Sequence, residues 1–264
     1  MAPESSITTL YADAWAAVVE LVDMQFSPLG RAAIDALSPQ RGEAIADVGC
    51  GAGQTVLQIA ELVGPSGRVF GVDIEPKLVA IAASRAARLS QVTMLNGDAA
   101  TIALPKAGLD GVFSRFGVMA FDDPVATFRH LHGSLRKGGR LAFVCWRPLL
   151  DNELDYLPLQ AAGLEEMADQ TPFSFAEPSF LRSTLSAAGY QKISIVANDV
   201  MVSSGDVDAM MAVVTKVGAL GKILRENPRL RASAEPRVRA ALSTRSGAAG
   251  VCLNAATWIV TARA

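Results

Sequence analysis

The 264-residue chain has only three cysteines and two histidines. Cys50, Cys145 and Cys252 are widely separated, form no CxxC pair and have no histidine at ligand spacing. That excludes a disulfide framework and the common zinc motifs, and no metal site is expected. The thiols read as small buried hydrophobes in a reducing compartment. There is also no excess of either charge: 24 Lys+Arg face 26 Asp+Glu, for a formal net charge of −2. A nucleic-acid partner would be expected to show as a basic excess, so none is expected. No apolar run approaches the roughly 20 residues that span a bilayer. The opening MAPESSITTL lacks the basic and apolar regions of a secretory leader. The expectation is a cytoplasmic protein with no membrane partner; both a monomer and a homodimer remain open. With half its residues hydrophobic, and neither repeats nor low-complexity linkers, the chain reads as one large globular domain with insertions.

From residue 44 onward, β-rich runs alternate with helical periods. AIADVG is followed by a helix carrying Val56, Ile59, Ala60 and Val63 on one stripe, with Gly64 to end it. RVFGVD ends at Asp73 and precedes a helix opening at Pro76, with Leu78, Ile81, Ala82 and Leu89 on one face. QVTMLNGD ends near Asp98, and LDGVFSRF runs to about Phe116. The next helix takes Asp123 as N-cap and Pro124 as first residue, and Gly138-Gly139 should stop it before RLAFVCW. Its stripe of Val125, Phe128, Leu131 and Leu135 predicts His130 on the solvent side and His132 at the edge. A helix from Pro178 to Gly189, the strand KISIVANDV, helices over 205–247 and a last strand AATWIVTAR complete the chain. The Met210-Met211 stripe is expected in a core. The fold class is α/β: a Rossmann-like, seven-stranded, mostly parallel sheet with helices on both faces and helical lid insertions.

The most informative stretch is AIADVGCGAGQT. Gly49, Gly51 and Gly53 follow the first strand, behind an acidic residue at Asp47. Glycine costs roughly 0.5–1 kcal/mol against alanine in regular structure, so three of them imply a need for bare backbone. In open α/β sheets, ligands bind beyond the carboxyl ends of the strands, and an acid ending the second strand can take ribose hydroxyls. Asp73 stands there, which points to a nucleoside-containing ligand. The spacing is GxGxG, whereas a dinucleotide fold prefers GxGxxG.

D-V-G-C-G-A-G resembles the S-adenosyl-L-methionine motif of class I methyltransferases. G-V-D-I at 71–74 is similar to their ribose-binding strand, and L-N-G-D-A at 95–99 to their adenine-binding turn. FSRFGVMAFDDP, KGGRLAFVCW and the final ATWIVTAR resemble a bacterial small-molecule branch, related to the ubiquinone/menaquinone-biosynthesis methyltransferases. The resemblance covers about 40–200. It implies that Gly49, Cys50, Gly51 and Gly53 approach the methionine moiety, with Asp47 beneath its amino end. Asp73 would take the ribose, Ile74 would pack on adenine, Asp98 and Ala99 would face the adenine edge, and Ser114 would line the sulfonium.

The resemblance implies a methyltransferase acting on a small, partly apolar acceptor, and identifies no catalytic residue. Residues 1–40 read as an N-terminal helical lid segment and 41–264 as the methyltransferase domain, with 147–176 and 203–250 as substrate-covering insertions. Tyr11 and Trp15 in the N-terminal helix, together with Arg115, Phe116, Met119 and Trp146 after the fourth and fifth strands, are the candidate acceptor contacts. Each also has an ordinary reading as packing. Rival functions are a non-catalytic S-adenosylmethionine sensor or assembly protein, an aminopropyl transferase and an NAD-type dehydrogenase.

Overall fold

The computed structural model describes residues 4–264. The chain divides into two compact units. A sheet unit comprises Leu29–Trp146, Thr171–Asn198 and Thr257–Ala264; a helical unit comprises the chain up to Pro28, Arg147–Gln170 and Asp199–Ala256. In order, the elements are α1 (Glu4–Ala16), α2 (Val19–Leu37), β1 (Ala44–Val48), α3 (Gln54–Val63), β2 (Arg68–Asp73), α4 (Pro76–Arg85), β3 (Val92–Asn96) and β4 (Leu109–Arg115). Then come α5 (Pro124–Ser134), β5 (Leu135–Trp146), α6 (Glu153–Ala162), α7 (Pro178–Ala187), β6 (Gln191–Val202), α8 (Val207–Val214), α9 (Gly218–Glu226) and α10 (Arg231–Ser243). A small hairpin of β7 (Ser246–Gly247) and β8 (Gly250–Val251) precedes β9 (Leu253–Arg263).

Seven strands form one sheet in the order β3-β2-β1-β4-β5-β9-β6. β1 to β5 pair in parallel, and β9 runs antiparallel to β5. Strand order reverses between β1 and β4, so a crevice is expected beyond their carboxyl ends. Because β1 is central, all five of its residues are buried. One sheet face is covered by aliphatic side chains: Ala33, Ile34 and Leu37 of α2 and Val56, Ile59, Ala60 and Val63 of α3 close over Ile45, Val69, Phe113 and Val144. The other face is aromatic. Phe128 of α5 lies 5.6 Å from Phe143 of β5 and 6.0 Å from Phe175, with Tyr190 edge-on at 6.3 Å. The period of two along β5 sends Phe143 to one face and Ala142 and Val144 to the other.

The sheet unit starts at Leu29, inside α2, so the second half of that helix belongs to the sheet unit. Asp123 caps α5 as expected, its Oδ1 accepting the Ala126 amide at 2.9 Å. The helix nevertheless ends at Ser134, not at Gly138-Gly139, because Leu135 already pairs with Leu109 of β4 ahead of a register shift. β3 stops at Asn96, which leaves Asp98 in the following turn. β4 stops at Arg115 because Phe116 turns to φ 65°. The expectation that His130 faces solvent is corrected: its ring is half-buried, with Nε2 2.9 Å from the Ile102 carbonyl oxygen. The loop after β3 folds back over that face of α5, which the helical period by itself does not reveal. His132 packs edge-on against Tyr190 at 5.0 Å.

In the helical unit, Val18, Val22, Val213 and Val217 make a small core against Trp15, Leu21 and Phe26. Met210 and Met211 are buried there, as expected, and Met210 Sδ accepts from the Gln25 amide. Asn152 is fully buried: its Nδ2 donates to the Arg147 and Pro148 carbonyls, and its Oδ1 accepts the Ala256 amide at 2.7 Å. The β7–β8 hairpin replaces helix where the 205–247 stretch ends.

Candidate functional site

The loop between β1 and α3 is tied to the end of β2. The amides of Gly49 and Cys50 both donate to the Val72 carbonyl, at 2.8 and 3.0 Å. The Gly51 amide donates to Asp73 Oδ2 at 2.8 Å, and the Glu75 amide donates to Asp73 Oδ1 at 2.9 Å. Asn96 buttresses the same strand end through bonds from Nδ2 to the Asp73 and Ile74 carbonyls, each 3.0 Å. Burial pushes the Asp73 carboxyl above its usual range against the pull of these amides.

Packing accounts for two of the three glycines. A Cβ on Gly49, at φ 69°, would overlap the Cα of Gly117, and a Cβ on Gly53 would sit 2.7 Å from that of Ala82. Gly51 is different: at φ 52°, an added Cβ would meet nothing within 4 Å. Its bare backbone faces open space, which is where a closely held ligand would lie. No side chain caps α3 at Gly53, and a helix N-terminus of this kind suits an anionic group.

Asp47 lies beneath this loop and is fully buried. Its Oδ2 accepts the Thr55 hydroxyl at 2.5 Å, while Oδ1 has no partner among the described residues. Burial pushes the carboxyl up to about 7, opposed by the Thr55 bond and the charge of Arg115 and reinforced by Asp73. An orphaned buried acceptor of this kind suits a ligand's cationic group overhead.

The remaining sheet-unit candidates take distinct places. Ile74 is 66% exposed at the end of β2, an uncovered apolar side chain beside the loop. Cys50 and Ala99 are buried; Asp98 is exposed, and its Oδ1 accepts the Ala100 amide at 2.8 Å. Ser114, expected along the sulfonium, ties β4 to the end of β1. The residue has no exposure; its hydroxyl donates to the Val48 carbonyl at 2.7 Å and accepts the Gly117 amide at 3.1 Å. Arg115 turns inward, bonding Gln54 Oε1 and packing along Gly30. Phe116, in its left-handed conformation, stacks on Trp146 with ring centroids 4.1 Å apart and planes 14° from parallel. Strain at such a position is common where function fixes a side chain. Met119 is buried, and its carbonyl accepts the Ser174 hydroxyl at 2.8 Å. Tyr11 and Trp15 belong to the helical unit, 5.9 Å apart ring to ring. Sequence reading missed Gln54, Thr55, Asn96 and Gly117; the first two follow the glycines directly, where polar side chains can reach back to β1 and β4.

The sheet order, with the glycine turn and an acid at the end of β2, defines a Rossmann-like fold of the methyltransferase type. Residues 45–139 match the family model described as a methyltransferase domain. Aklanonic acid methyltransferase DauC of Streptomyces sp. (strain C5) is 34% identical over 120 residues, covering 45% of this chain and 54% of that protein. Demethylmenaquinone methyltransferase of Staphylococcus epidermidis is 24% identical over 197 residues, covering 66% and 76%. Among solved structures, the YcgJ protein of Bacillus subtilis shares the fold with a TM-score of 0.58 at 16% identity, covering 87% of this chain and 95% of that one. Residues 45–139 thus match a methyltransferase domain, and the chain is similar over part of its length to bacterial methyltransferases whose names give small-molecule acceptors. The match to the aklanonic acid enzyme spans about half of that relative's length. No helix among the described residues is long and apolar enough to cross a membrane.

Two outcomes follow from this geometry. Gly49→Ala should lose about 3–5 kcal/mol of stability from left-handed strain plus overlap with Gly117, and Gly51→Ala only about 1–2 from strain; urea unfolding of the two variants measures the difference. Asp47 titrates near 3.8 when unfolded and near 7 when folded. The protonated form is the one the fold prefers, so Asp47's contribution to ligand-free stability is full below pH 4 and is lost as pH rises to about 7. Asp47→Asn should flatten that part of the pH profile in urea midpoints; profiles that stay parallel would contradict it.

Proposed function

We propose that this chain moves the methyl group of S-adenosyl-L-methionine to a small, partly apolar acceptor by in-line displacement. The open space over Gly51 carries the reading, since it is the one position in the turn where glycine has no packing reason. The donor set fits the cofactor. Asp73 Oδ2 accepts the Gly51 amide and Oδ1 the Glu75 amide, and the carboxylate's remaining lone-pair capacity suits a ribose hydroxyl. The exposed Ile74 side chain offers an apolar platform for adenine, with Asp98 and Ala99 at its edge. Gly49, Cys50, Gly51 and Gly53 present backbone to the methionine moiety, and the unpartnered Asp47 Oδ1 supplies negative potential beneath its ammonium group.

When bound, the cofactor supplies an already electrophilic methyl group on sulfur. The residues of the chain have to position, not to activate. Aligning acceptor and methyl can remove up to about 7–11 kcal/mol of a barrier in ideal cases. The Phe116–Trp146 stack, rigid and apolar, serves as a wall that fixes the acceptor's approach and excludes water. Residues 147–176 and 203–250, with the N-terminal helix, provide the acceptor-selecting part. The relatives' names join this kind of domain to small organic acceptors, aklanonic acid and demethylmenaquinone.

Calorimetric titration tests the reading. S-adenosylmethionine and S-adenosylhomocysteine should bind in the micromolar range, near −8 kcal/mol, and NADH should give no heat. Asp73→Ala should lose about 1.5–3 kcal/mol of that affinity with its charged hydrogen bonds. Binding of NADH, or no binding by a well-folded sample, would sink the assignment; cofactor binding without transfer to any small acceptor would indicate a sensor.

A further inference from the structure

The helical unit contains a half-buried cation, Arg225, with no counter-ion among the described residues. Arg225, in the last turn of α9, donates through Nη1 to the Lys216 carbonyl, and its Cζ lies 5.6 Å above the ring of Tyr11. Ion pairs hold its neighbours: Arg231 with Glu235 at 2.9 Å and Lys222 with Asp169 at 2.5 Å. Among the described residues, no carboxylate lies within ion-pair distance of Arg225. Desolvation lowers its pKa, opposed by Tyr11 and Glu226 and reinforced by the charge of Arg231. A partly desolvated guanidinium is costly unless something anionic meets it, and its planar fork matches a carboxylate.

An aromatic row continues from that cation. The Tyr11 ring lies 5.9 Å from Trp15, which lies 6.4 Å from Phe26, both pairs tilted by about 50°. Tyr11 is 40% exposed, so the row opens at the end beside Arg225. Within it, the indole Nε1 of Trp15 is buried and has no acceptor. An unpaired buried donor is costly, and an oxygen on an entering molecule would relieve it.

The geometry points to the Tyr11–Trp15 row and Arg225 as a specificity site for a flat aromatic acceptor that carries an anionic oxygen, the rings meeting the row and the anion meeting the guanidinium. This rests on the reading that the helical segments select the acceptor. It narrows "small and partly apolar" to a planar, negatively charged molecule.

Three probes separate the two elements of recognition: 2-naphthoate, its neutral counterpart 2-naphthamide, and cyclohexanecarboxylate, an anion without an aromatic ring. Binding is read by calorimetry on the full chain with S-adenosylhomocysteine present. The wild type should bind 2-naphthoate at least roughly tenfold more tightly than either other probe, a difference of about 1.4 kcal/mol. Arg225→Gln should bring 2-naphthoate down to the level of 2-naphthamide and leave 2-naphthamide unchanged. Arg225→Lys, which keeps the charge, should retain most of the preference and controls for misfolding. Trp15→Phe, which keeps a ring and removes the donor, should weaken both naphthalene probes. Equal binding of the three probes by the wild type, no binding of any, or a preference that survives Arg225→Gln would each overturn the inference. Cofactor affinity, measured in the same samples, keeps the two readings apart. Its loss in the wild type would undo the methyltransferase reading, whereas its presence without probe discrimination would undo only this one.

Discussion

Everything at the candidate site depends on the Asp73 carboxylate holding the Gly51 amide. That one bond fixes the glycine turn against the end of β2, so two strand ends and the start of α3 share one surface. The same carboxylate orders the entry to α4 through the Glu75 amide. On the opposite side, Gly49 and Gly117 approach so closely that neither tolerates a Cβ, and Ser114 ties β4 to β1. The turn is therefore clamped from both neighbouring strands before any ligand arrives, which is what preorganised binding requires.

The clamp also sets the electrostatics. Asp47 is kept dry, with one oxygen bonded to Thr55 and the other unpartnered among the described residues, and Arg115 supplies compensating charge from β4. A buried carboxyl pushed up to about 7 is a poor stabiliser of the ligand-free fold. It becomes an asset once a cation lies above it. The site thus stores destabilisation that ligand binding can relieve, the usual relation between function and strain.

Much of this was legible in the sequence because each signal was local. The GxGxG run, the acid closing β2 and the apolar stripes on α3 and α5 rest on spacing alone, and spacing survives folding. What stayed hidden was long-range. That Ser114 bonds the Val48 carbonyl depends on a contact 66 positions away. That His130 finds the Ile102 carbonyl depends on how the loop after β3 returns over α5. The division of α2 at Leu29 leaves no mark in its helical period, because both halves carry apolar stripes that pack on different partners. Arg225 gave no signal either: its place over the Tyr11 ring exists only once α9 and α1 are side by side.

The central claim is that Gly51 is kept bare for a ligand and not for packing. Calorimetric titration of Gly51→Ala with S-adenosylhomocysteine tests it most directly. A folded variant whose affinity falls by roughly tenfold or more would support the account. A folded variant that binds as tightly as the wild type would contradict it, and the open space over that residue would need another explanation.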